Sequence, residues 1–279
     1  MIGLDVARRA LAKQRRKRSF ALCYHGVGET SIRVDPRFLR VSPRRLRTQI
    51  ELLREAGYEF VTLSELVASK RGNGSSPPLP GLVALTFDDG YADNHDTLLP
   101  MLREYGIPAT IYVTTGLMGR PNPWLAPDSG MRMMTPEEVV ACSQAGLEIG
   151  AHTLTHPDLS LVGPEGCRRE VTGSREILRE LTGTPVPSFA YPYFHLGPEA
   201  VSAVRDAGYA SAVTGVGYGD YSPLTFERTA ISGKDGLASF TLKLLGRYDP
   251  LLDSAPLRVA RVATRSLRRR SWELLDHRG

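Results

Sequence analysis

Short apolar runs alternate with longer stretches of helical periodicity through most of the chain. The runs fall at residues 20–24, 60–63, 82–87, 110–113, 147–151, 188–191 and 210–213 and are four to six residues long. That length, bounded by glycine, proline or polar positions, reads as buried strand. Apolar residues at helical spacing lie between them, near 43–56, 94–105, 136–145, 165–181 and 198–207. Thr135-Pro136-Glu137-Glu138 carries an N-cap, a proline at the first helical position and acids in the first turn. Gly57, Gly106, Gly146, Gly183 and Gly208 each follow a helical stretch, where a left-handed C-cap belongs. Strand–helix alternation repeated about seven times predicts an α/β fold with a parallel sheet, either closed into a barrel or open and doubly wound.

Charge divides the chain differently. Residues 1–20 carry seven basic and one acidic side chain, and residues 255–279 carry seven basic and two acidic. The whole 279-residue chain is only +5, so the stretch between is acidic. We therefore expect three parts: a basic N-terminal extension over 1–19, a catalytic domain over 20–254 and a basic tail over 255–279. Val6, Ala7, Ala10 and Leu11, and Leu257, Val259, Val262, Leu267, Trp272, Leu274 and Leu275, are spaced among basic residues as in partly amphipathic helices. Such ends suit an anionic membrane surface, the alternative being solvated, frayed termini. They carry little interleaved aromatic surface, which argues against nucleic acid. No apolar run reaches the roughly 18 residues of a membrane span. Basic residues interrupt the N-terminal apolar positions, so the expectation is a cytoplasmic protein, peripheral at the inner membrane face. Cys23, Cys142 and Cys167 have no metal-ligand spacing and read as packing residues. The irregular stretch 116–134 contains Trp124, which could face a substrate or cover the rim for stability.

The candidate chemistry lies at two strand ends. Asp88 and Asp89 close the run Leu82-Val83-Ala84-Leu85-Thr86-Phe87. Adjacent carboxylates repel, and a bound cation is the usual offset. The second end, Leu147-Glu148-Ile149-Gly150-Ala151, is followed by His152-Thr153-Leu154-Thr155-His156. Two imidazoles and one carboxylate make a three-ligand metal site with open positions, leaving the other aspartate for another task.

These residues resemble the polysaccharide deacetylases of carbohydrate esterase family four. The similarity rests on Thr86-Phe87-Asp88-Asp89-Gly90 and on His152-Thr153-Leu154-Thr155-His156. Tyr105-Gly106-Ile107-Pro108-Ala109-Thr110 and Ser188-Phe189-Ala190-Tyr191-Pro192-Tyr193 extend it, from about Phe20 to Ile231. The resemblance implies a distorted (β/α) barrel of seven or eight strands. It implies a divalent metal, usually Zn²⁺, held by Asp89, His152 and His156. Asp88 would be the general base for the water that attacks an N-acetyl carbonyl, and the amide of Tyr193 the oxyanion donor. Tyr191, Pro192, Trp124 and His195 would line the substrate. The implied activity is removal of the N-acetyl group from an amino sugar in a glycan or glycolipid precursor. A hydrolase of another amide, such as a cyclic imide, and a defective glycan- or lipid-binding protein are the competing readings.

Three departures from the family stand out. No arginine precedes Pro192, where many members place one to orient the base. Phe194 stands where a subgroup usually has glycine, which would narrow the site. No Leu-x-His segment follows, and after Pro198 the only histidine is His277. Tyr24-His25-Gly26-Val27 resembles the segment that opens one branch of the family. In a closed barrel the first strand lies beside the last, so His25 is expected to replace the missing acid. His95, five residues after Gly90, is expected to start a helix.

Overall fold

The computed structural model describes residues 3–29, 31–69, 77–124, 131–217, 219 and 222–248. Seven parallel strands close into a barrel: β1 (Phe20–Tyr24), β5 (Leu82–Phe87), β6 (Thr110–Val113), β7 (Glu148–Ala151), β8 (Ser188–Ala190), β9 (Ser211–Gly215) and β10 (Phe226–Ala230). Closure is made by β1, which pairs with β5 (Leu22 opposite Leu85) and with β10 (Leu22 opposite Thr229). An eighth parallel strand, β4 (Glu59–Val61), takes the lower half of a β5 edge, opposite residues 82–84, while β6 takes the upper half at Thr86 and Phe87. A short pair, β2 (Gly26–Val27) with β3 (Arg40–Val41), sits outside the barrel.

The helices return the chain between strands: α2 (Pro43–Glu55), α3 (Leu63–Ala68), α4 (Leu99–Tyr105), α5 (Pro136–Gln144), α6 (Pro164–Thr182), α7 (Pro198–Asp206) and α8 (Leu237–Leu244). Before α4 the chain makes a π turn, Asn94–Leu98, in which the Leu99 amide bonds back to the Asn94 carbonyl. Pro100, which has no N–H to give, follows directly and accounts for the widened turn. All seven apolar runs are strands. The alternation does not reveal β10, α3 or α8.

Two apolar layers hold the barrel. The large one lies between strands and helices and includes Leu22, Leu85, Ile111, Ile149 and Phe189. The small one fills the lumen with Ala21, Ala84, Tyr112, Ala190, Val213 and Phe226. Leu63, Leu66 and Val67 of α3 join this lumen cluster. The Leu63 amide donates to Thr110 Oγ1 and the Ser64 amide to Glu148 Oε2, so α3 plugs the end at which the strands begin. Chemistry is left to the opposite, C-terminal face.

The N-terminal basic stretch contains a helix, α1 (Leu4–Arg15). Its apolar stripe is not free for a bilayer: Ala7 and Leu11 are fully buried in the main core, and α1 packs on α2 and α8. Burying Leu11 contributes roughly 1.5–3 kcal/mol. Arg9, Lys13 and Arg16 remain exposed beside Val6. The basic tail expected over 255–279 lies outside the described residues.

Candidate active site

The site forms where β5 and β7 end. Asp89 has φ 75° and Gly90 φ 82°, so the chain turns left-handed at once after β5. This turn separates the two carboxylates. Asp88 continues the ladder, its amide donating to the Tyr24 carbonyl at 2.9 Å, and faces β1 and β10. Asp89 faces the loop after β7. Its Oδ1 lies 3.4 Å from Nε2 of His152 and 3.4 Å from Nε2 of His156, and the two Nε2 atoms are 3.2 Å apart. All three residues are buried.

That triangle fits a metal ion. Ligand bonds of about 2.0–2.1 Å in tetrahedral geometry place donor atoms roughly 3.3–3.4 Å apart. His152 Nδ1 lies 2.7 Å from the Ala190 carbonyl, which fixes its N–H there and leaves Nε2 as the donor to an ion. His156 Nδ1 is buried without a hydrogen-bond partner. Its ring is bordered instead by Trp124, with centroids 4.4 Å apart, and by Tyr193 at 4.7 Å.

The electrostatics follow from this packing. Burial favours the neutral form of Asp89, but hydrogen bonds from both imidazoles outweigh it and hold the carboxyl well below the usual range. Burial also opposes a charge on His152, yet its bond to Asp89 and the fields of Asp88 and Asp89 raise its pKa. At His156 burial wins, and its pKa falls.

Asp88 is held by a residue that the sequence motifs do not disclose. Arg228 of β10 is fully buried and grips both carboxylate oxygens, Nη1 to Oδ1 at 2.6 Å and Nη2 to Oδ2 at 2.7 Å. Nη1 also donates to Thr86 Oγ1 at 2.8 Å, and the guanidinium lies over the Tyr112 ring. Burial pushes the Asp88 pKa up, but the Arg228 charge and hydrogen bonds prevail and lower it. No arginine precedes Pro192, yet Asp88 is held by one. The arginine comes from the last strand, not from the segment before Pro192.

Other residues sort as follows. A His25 ring nitrogen, an Asp88 oxygen and Cys23 Sγ lie within 4.8 Å of one another, so β1 does bring His25 to Asp88. Cys23 Sγ is 3.3 Å from Asp88 Oδ2, so this cysteine is more than packing, whereas Cys142 and Cys167 are buried away from the site. Tyr193 has φ 57° and ψ 9°, a turn that places its amide next to the buried Pro192. Tyr191 is corrected: it is fully buried, packs on Phe189 and donates to the Leu224 carbonyl. Strand alternation carries its side chain into the core, out of reach of any substrate. Pro192 is buried too. Phe194 packs against Gly215 and over Arg228 with 5.9 Å to the ring centroid, so it covers the partner of Asp88, while Trp124 and Tyr193 border the histidines. His195 pairs with Asp158 at 2.6 Å and stands at the rim. His95 pairs with Asp96 and is not part of the cluster.

The backbone marks the same place. Six non-glycine residues among those described have positive φ, and five of them surround this site: Asp89, Thr153, His156, Tyr193 and Phe194. Each costs of order 1 kcal/mol or more and persists because surrounding contacts impose it.

Comparison with known proteins points to the same family as the motifs. Residues 76–212 match the sequence profile described as polysaccharide deacetylase. The protein carries a polysaccharide deacetylase domain. Among its relatives is YxkH of Bacillus subtilis, named for a polysaccharide deacetylase, 26% identical over 193 residues that cover 69% of this chain and 63% of that protein. Another is the poly-β-1,6-N-acetyl-D-glucosamine N-deacetylase of Escherichia coli, 37% identical over 90 residues, 32% of this chain and 13% of the relative. The chain thus spans less than two thirds of these relatives' lengths. The structure of IcaB from Ammonifex degensii superposes with a TM-score of 0.68 at 25% identity, covering 81% of this chain and 96% of that one. These findings agree with the barrel and with the family that the motifs resemble.

Proposed function

We propose that the protein is a metal-dependent hydrolase that removes the N-acetyl group from an N-acetylated amino sugar in a glycan or glycolipid precursor. One observation carries this reading: Asp89 and the two histidines converge at metal-ligand spacing directly beside an arginine-held aspartate. Relatives named as N-deacetylases of glucosamine polymers and of chitin support the substrate class. Asp89, His152 and His156 would hold the ion. The donor set suits Zn²⁺, and Co²⁺, Ni²⁺ or Fe²⁺ use the same ligands. When bound, the ion supplies Lewis acidity toward the amide carbonyl and toward water.

The chain's own groups divide the remaining work. Asp88 takes a proton from the attacking water as its oxygen bonds to the acetyl carbon. Arg228 keeps that carboxylate ionised and in a fixed plane. The amide of Tyr193 donates to the oxygen that gains charge. As the carbon–nitrogen bond breaks, His25 delivers a proton to the leaving nitrogen, and acetate and a free amine result. Trp124 and Tyr193 offer apolar faces to the sugar on either side of His156. A binding-only reading is motivated by the missing arginine before Pro192 and the missing C-terminal histidine, and Arg228 on Asp88 with His25 close by argues against it.

The test is metal content together with acetate release from a panel of N-acetylated sugars: monomer, chitooligosaccharides and β-1,6-linked oligomers. We expect one divalent ion and release from at least one sugar, with Asp88→Asn keeping the ion and losing about 10²-fold or more in turnover. Metal without release would move the reading to another amide. No metal and no release would overturn it.

A further inference from the structure

The loop from His152 to His156 is not self-supporting. Thr153 has φ 68° and His156 φ 63°, so two of its five residues sit in the left-handed region. One side is clamped by the turn after β6. The Thr115 amide donates to the Thr153 carbonyl at 3.1 Å, and the Gly116 amide to the Leu154 carbonyl at 2.8 Å. A Cβ on Gly116 would meet that carbonyl oxygen at 2.6 Å, so only glycine permits the approach.

The other side is clamped by one carboxylate. Glu170 lies in the second turn of α6 and is 4% exposed. Its Oε2 accepts from the amides of Leu154 and Thr155, each at 2.9 Å, and its Oε1 accepts from Thr155 Oγ1 at 2.9 Å. Removing it takes the partner from two amide donors of a strained loop, those of the half-buried Leu154 and the exposed Thr155. Both histidines belong to that loop, and an ion selects their Nε2 atoms within a few tenths of an ångström.

We infer that Glu170 is a positioning residue: it sets the spacing of His152 and His156 and thereby the affinity and geometry of the metal site. The inference rests on the proposed metal-dependent reading. It touches neither substrate nor ion, and its role is read by ion binding, not by turnover.

The experiment is Zn²⁺ titration of the full chain against a chromogenic chelator, with the visible spectrum of the Co²⁺-loaded protein as reporter of ligand geometry. Glu170→Gln keeps one carbonyl oxygen for both amides and turns its NH₂ toward Thr155 Oγ1. It should bind Zn²⁺ within about threefold of wild type, with an unchanged Co²⁺ spectrum. Glu170→Ala should lose roughly 10–100-fold in affinity, the range found when a metal site loses outer-shell support, and its Co²⁺ spectrum should shift. If the alanine variant does not fold, Glu170→Asp decides, because it keeps the charge but withdraws the carboxylate by one methylene. Wild-type affinity and spectrum in the alanine or aspartate variant would overturn the inference while leaving the proposed function standing. A wild-type chain that takes up no divalent ion would overturn both.

Discussion

Arg228→Met is expected to destabilise the fold by about 3–5 kcal/mol and to move the acid limb of the pH–rate profile upward. Arg228 is fully buried and Asp88 is 2% exposed, so neither charge has water to replace its partner. Methionine fills much of the same volume but leaves Asp88 as an uncompensated buried carboxylate. The sign of the pH effect follows from the forces on that group. Burial acts to raise the Asp88 pKa, and Arg228 is the main influence that lowers it. With the arginine present the base form persists below the ordinary carboxylate value of about 3.9. Without it burial dominates, the carboxyl takes a proton at higher pH, and kcat/KM falls off earlier on acidification. Urea unfolding gives the stability loss, and the kcat/KM profile gives the shift. The double variant Asp88→Asn with Arg228→Met removes both charges and should recover much of the single-variant loss. Strictly additive losses in that cycle would mean that the pair is not coupled.

This pair also shows where the sequence runs out. Asp88, Asp89, His152 and His156 are legible because each couple is compact in sequence and ends an apolar run. A parallel barrel then has to bring such ends together. Arg228 is illegible for the opposite reason. In Phe226-Glu227-Arg228-Thr229-Ala230 two charged residues interrupt the apolar pattern, and a strand with an arginine pointing into the lumen reads as surface or loop. Nothing local shows that its partner lies 140 residues away. Glu170 is hidden similarly, since a glutamate on an amphipathic helix is normally solvated. Tyr191 fails for a third reason: it adjoins motif residues, but strand alternation turns it into the core. Barrel closure was implied only by the family resemblance of the motifs, since the alternation alone left an open sheet possible, and β10, which carries the arginine, was not legible at all.

His25→Ala is expected to lower turnover on an N-acetylated sugar by about 10²–10⁴-fold and to leave metal content unchanged. In the proposed site the ligand atoms belong to Asp89, His152 and His156, so ion binding would not depend on His25. Its place depends on barrel closure: β1 lies between β5 and β10, and His25 follows its last residue. The Asn94 side chain holds its backbone by donating to the His25 carbonyl at 3.0 Å. A ring nitrogen of His25 lies within 4.8 Å of an Asp88 carboxylate oxygen. An acid matters only in proportion to how poor the leaving group is. An amine must be protonated to depart, whereas a nitrophenolate departs unaided. The alanine variant should therefore lose far less on a nitrophenyl acetate ester than on the amide, and the ratio of the two losses reports proton delivery directly. Equal losses on both substrates would reduce His25 to a structural role, and an unchanged amide rate would remove it from the mechanism.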